Sequence, residues 1–91
     1  MTVRTDWETA TALDRECRQV EDACIADRRS ELAVSAARAG SLAGDAVNAF
    51  KSAAFLDDRH GDRAAELRMA GRLKLAEVEA LLASVTAEIK G

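Results

Sequence analysis

Apolar residues return along this chain with the period of an α-helix. Trp7, Ala10, Leu13, Cys17, Val20 and Cys24 follow one another at spacings of 3, 3, 4, 3 and 4, which lays them along one helix face. Ile25, Leu32, Ala36 and Ala39 carry the stripe on with a slight rotation. The opposite side holds Glu8, Asp14, Arg15, Arg18, Glu21, Asp22 and Arg29. Asp14–Arg18 and Arg18–Asp22 are opposite charges one helical turn apart, each pair contributing about 0.2–0.5 kcal/mol. Thr5 followed by Glu8 has the spacing of a capping box. These features predict one long helix over residues 5–39.

Gly40 then reads as the left-handed residue just past a helix end, with Ser41 or Asp45 as the next N-cap. A short middle helix over residues 45–59 follows, with Val47, Phe50 and Ala54 on one face and Ala46, Ala49, Ala53 and Leu56 beside them. The alternative is one helix continuous through Gly40 and Gly44. Each glycine inside a helix costs about 1 kcal/mol relative to alanine, so a break is the favoured expectation. Asp57-Asp58-Arg59-His60-Gly61-Asp62 is the clearest punctuation. Gly61 suits a left-handed residue after a helix, and Asp62 suits an N-cap.

A third helix is expected over residues 62–90. Ala64, Gly71, Leu75, Val78, Leu82, Val85 and Ile89 form its stripe, widened by Leu67, Ala70, Leu73 and Leu81. From Leu75 onward the alternating 4- and 3-residue steps make a heptad seam of coiled-coil type. The fold expected is all-α: a helical hairpin or three-helix arrangement, two long helices flanking a short one, in a single domain covering residues 1–91.

Composition narrows the class further. Of the 91 residues 48 % are hydrophobic, but twenty of those are alanine, only three are aromatic, and proline and tyrosine are absent. Strand-forming β-branched and aromatic residues are too scarce for an all-β fold. No apolar run approaches the roughly 20 residues that a membrane-spanning helix needs. The start of the chain lacks the apolar stretch of a secretory signal. Cys17 and Cys24 sit about 10.5 Å apart along a helix axis, too far for a disulfide with each other, so a reduced, cytoplasmic setting is expected. The formal net charge of −3 disfavours sequence-independent binding to nucleic acid.

Three groups of residues could carry chemistry. Cys17, Cys24 and His60 are soft ligands, but a structural zinc site wants four, usually at tighter spacing, and both cysteines lie on the apolar stripe. Packing is therefore expected of them, and no metal or cofactor. Arg59, Arg63, Arg68, Arg72 and Lys74 form a basic region suited to phosphates, interleaved with Asp57, Asp58, Asp62 and Glu66. Gly71, inside an otherwise good helix and on its apolar stripe, either permits a tight helix crossing or is merely tolerated. No nucleophile–base pair is set by spacing, and no phosphate loop is present.

Two long helices make a thin object that leaves apolar surface uncovered. The function expected is that of a non-enzymatic assembly or adaptor protein, acting on a protein partner or further copies of itself. Trp7, Leu75, Val78, Leu82, Val85 and Ile89 are the expected interface. The alternative is a nucleic-acid-linked regulator of antitoxin type using the basic face from Arg59 to Lys74.

Overall fold

The computed structural model describes residues 5–56 and 59–90. It is all-α, with α1 over Asp6–Ala26, α2 over Ser30–Leu56 and α3 over Gly61–Lys90. The helices run up, down and up, so α1 and α3 are parallel to each other and antiparallel to α2. No described helix is long and apolar enough to cross a membrane.

Thr5 opens α1 as its N-cap: its hydroxyl oxygen accepts from the Glu8 N–H at 3.2 Å and donates to the Glu8 carboxylate at 3.2 Å. The Glu8 N–H, one of the backbone donors left over at the helix start, would otherwise lack such a local partner. The seam of α1 is Ala10, Cys17 and Cys24, all buried, with Leu13 and Val20 half-buried between them. It ends at Cys24 because the next positions in the same phase are Asp27, Arg28 and Glu31.

The long first helix expected over residues 5–39 is therefore two helices. Arg28 takes φ 60°, the left-handed conformation more often filled by glycine. Its N–H donates to the Ile25 carbonyl at 3.1 Å, and the Arg29 N–H donates to the Cys24 carbonyl at 2.8 Å. This crossed pair of bonds is the Schellman closure of a helix.

The expected break at Gly40 to Gly44 does not occur. Both glycines lie inside α2, and no glycine among the described residues has positive φ. The short middle helix is in fact a 27-residue one. Packing overrides the weak helix preference here. Ala36, Ala39, Ala43, Ala46, Phe50 and Ala53 are all buried, at steps of 3, 4, 3, 4 and 3, so the seam runs unbroken past both glycines. Gly61 is likewise the first residue of α3, not a left-handed residue after α2, and Asp62 lies in the first turn of α3. Asp57 and Asp58 lie outside the described residues.

Each layer of the core draws on all three helices. Ala10, Ala46, Phe50 and Leu75 form one end. Cys17, Ala39, Ala43, Val78 and Leu82 form the middle, and Cys24, Ala33 and Val85 form the other end. The alanines of α2 let both neighbours approach closely, and α2 packs far more extensively on α1 and α3 than those two pack on each other. Polar ties draw α1 and α3 together at both ends. Arg72 donates to one Asp6 carboxylate oxygen through Nε at 3.1 Å and Nη2 at 3.0 Å. Arg29 pairs with Asp27 at 2.9 Å and donates to the Glu88 carbonyl, in the last turn of α3, at 3.2 Å.

Gly71 is a tight crossing. A Cβ on it would fall 2.7 Å from two ring carbons of Phe50, so the one buried aromatic ring among the described residues lies directly on the α3 backbone. Nothing lies within 4 Å of where a Gly44 Cβ would be. Substitution by alanine should thus have opposite effects at the two sites. In urea unfolding, Gly71→Ala should lose about 1–3 kcal/mol through overpacking, despite the better helix preference of alanine. Gly44→Ala should gain up to about 1 kcal/mol. Equal gains at both sites would show that the Phe50 contact is not constraining.

Candidate interaction surface

The expected interface splits in two. Leu75, Val78, Leu82 and Val85 are buried within this chain's own core. They cannot be its outward face; the seam is closed by α1 and by the alanines of α2, so the expectation that the C-terminal seam stays uncovered is corrected. Ile89 is 37 % exposed and Trp7 is 48 % exposed. Trp7 lies at the open groove between α1 and α2, with the Lys51 ammonium 5.5 Å from its ring centre, a cation–π distance.

The basic region is interleaved with carboxylates in space as well as in sequence. Arg63 pairs with Glu66 at 3.5 Å, Arg72 with Asp6 at 3.0 Å and Lys74 with Asp45 at 3.6 Å. Arg18 pairs with Asp14 at 3.4 Å, as its spacing predicts. Exposed pairs of this kind stabilise by about 0–1 kcal/mol, but they balance the local field that a phosphate would otherwise meet.

The soft ligands are dispersed. Cys17 sits in the middle core layer and Cys24 at the layer nearest the α1–α2 turn, both as free thiols. His60 is exposed at the start of α3, toward the other end of the bundle. Among the described residues no three His, Cys, Asp or Glu side chains gather as a metal site would require.

The surface that the heptad reading overlooked is the back of α3. Met69, Leu73, Ala76, Ala80, Ala83 and Ala87 are all exposed, at steps of 4, 3, 4, 3 and 4. At 100° per residue they form a second stripe, opposite the buried seam. Met69 is 67 % and Leu73 is 65 % exposed. Sequence reasoning placed Leu73 as a widening of the core stripe; its angle of about 170° from the centre of that stripe was the signal that separates the two faces. The backs of the other helices are different. That of α1 shows Glu8, Arg15, Gln19 and Asp22, and that of α2 shows Ser41, Asp45, Asn48 and Ser52, all exposed. Ile25, Val34 and Phe55 are exposed too, but as single residues on polar faces, which is ordinary.

The chain matches no family model, no curated protein and no solved structure.

Burial and the neighbouring Asp14 and Glu16 carboxylates push the Cys17 thiol up from 9.0 to about 11. The unfolded thiol ionises near pH 9 and the folded one only near pH 11, so the stabilising contribution is complete below pH 9 and is lost as the pH rises from 9 to 11. Urea unfolding across that range should show a fall of roughly 2–3 kcal/mol from this residue. Cys17→Ala should remove that part of the pH dependence; an unchanged slope would place the alkaline titration elsewhere.

Proposed function

We propose that the protein is a non-enzymatic assembly or adaptor component that docks through the back of α3. The observation that carries this reading is a second apolar heptad stripe, anchored by Met69 and Leu73, on a helix whose other face already fills the core. A single-sided helix would satisfy the fold; the bundle gains nothing from an apolar outer face, and contiguous exposed apolar surface commonly marks an interaction site.

The size of the exposed surface supports the same reading. The chain exposes 6420 Å², against about 5,100 Å² for a compact monomer of this mass. Its dimensions of 48 × 29 × 17 Å and radius of gyration of 14.6 Å describe a slab longer and thinner than the compact form, for which the radius would be about 12 Å. A slab presents a helix face without flanking walls, which suits docking by another helix rather than enclosure of a small molecule. The nucleic-acid alternative has less support, since Arg63, Arg72 and Lys74 each lie beside a carboxylate.

Affinity capture from the source cell tests this reading. The wild-type chain should retain a discrete partner, a further copy of the chain included. Leu73→Glu should lose it, while Gln19→Glu on the polar back of α1 should keep it, with circular dichroism unchanged in both. Equal capture by wild type and Leu73→Glu would contradict docking through this face.

A further inference from the structure

We propose that the occupant of the α3 stripe is a second copy of the same helix, laid antiparallel across a two-fold axis between residues 74 and 75. The inference rests on the docking role argued above and names the partner for it.

Packing selects the direction. Large residues stand only at the N-terminal end of the stripe, at Met69 and Leu73, and alanines at the rest. A parallel pair would set Leu73 on Leu73 and Met69 on Met69 at one end and alanine on alanine at the other, wedging the helices apart. An antiparallel pair sets Met69 against Ala80 of the partner subunit and Leu73 against Ala76 of the partner subunit. Large then meets small in each layer, as interdigitating layers require.

Charge selects the register. Beside the stripe, on the same flank, lie Arg72 and Glu79, both exposed. With the axis between 74 and 75, Arg72 faces Glu79 of the partner subunit, and symmetry repeats the pair. Sliding by one heptad, so that Met69 meets Ala87 of the partner subunit, brings each Glu79 onto its own copy and each Glu77 likewise. Like charges so placed oppose association. Arg72 can serve both carboxylates: Nε and Nη2 hold Asp6, and a guanidinium has five donors. A two-helix contact of this length falls at the low end of specific interfaces, about 1,000 Å², so the dimer is reversible and concentration-dependent.

Sedimentation equilibrium and cysteine pairing test the inference together. The wild-type chain should pass from monomer to dimer below about 1 mM. Leu73→Glu, or Ala76→Glu as a second variant, should shift the midpoint upward by at least about tenfold, because an unpaired charge would be buried against alanine. Under mild oxidation a mixture of Leu73→Cys and Ala76→Cys chains should form a disulfide-linked heterodimer, while each variant alone forms little; the native Cys17 and Cys24 stay buried. A chain that remains monomeric throughout, or variants that link to themselves as parallel helices would, overturns the inference. A monomer that still captures a different protein through Leu73 would leave the docking role standing while removing the second copy as its partner.

Discussion

The structure depends on how closely α2 lets its two neighbours approach. Its seam is almost wholly alanine, with one phenylalanine. Alanine buries little area, so each contact contributes little. What the small side chains provide instead is proximity: α1 and α3 each lie against α2 along its length and meet one another through Cys17, Val78 and Leu82 in the middle layer. Phe50 is the exception that fills the end of the core, and it fits only because α3 carries glycine at position 71. The Asp6–Arg72 pair at one end, and the Arg29 bond to the Glu88 carbonyl at the other, tie α1 and the turn after it to α3, but both are exposed and individually weak. The fold is thus held by many shallow contacts and one tight one.

Much of this was legible in the sequence. The all-α class, the three-helix arrangement, the Thr5 cap, the Asp14–Arg18 pair and the alignment of Leu75, Val78, Leu82 and Val85 on one helix face all follow from local chemistry and helical spacing; that this face is closed by α1 and α2 rather than left for a partner does not. The position of the first turn was not. Glycine is the strongest ordinary signal of a helix end, and the chain spends two glycines inside a helix while closing α1 with an arginine in the left-handed region. The physical signal was a change of phase: after Cys24 the seam positions become Asp27, Arg28 and Glu31, and the apolar residues resume at Leu32 and Ala33. A stripe that rotates is one helix drifting or two helices meeting, and the charged positions at the junction distinguish them.

The outward face of α3 shows a second limit of reading by period alone. Two heptad stripes on opposite sides of one helix merge into a single broad apolar set when residues are grouped by spacing. Leu73 and Leu75 are two residues apart in sequence and on different faces in space, one 65 % and the other 7 % exposed. Burial on one side explains why α3 folds; it does not explain Met69 and Leu73 on the other. That excess is the feature on which the proposed docking role rests, while the buried seam accounts for stability.

The small-residue seam makes α2 a single helix from Ser30 to Leu56, packed on its neighbours from Ala33 to Ala53. Native-state hydrogen exchange at the amides of residues 40–48 tests it most directly. Exchange there should be slow, with an opening free energy close to that of global unfolding. Fast exchange confined to residues 40–45, between protected segments on either side, would mean that the chain breaks at its glycines, and the layered core described above would not stand.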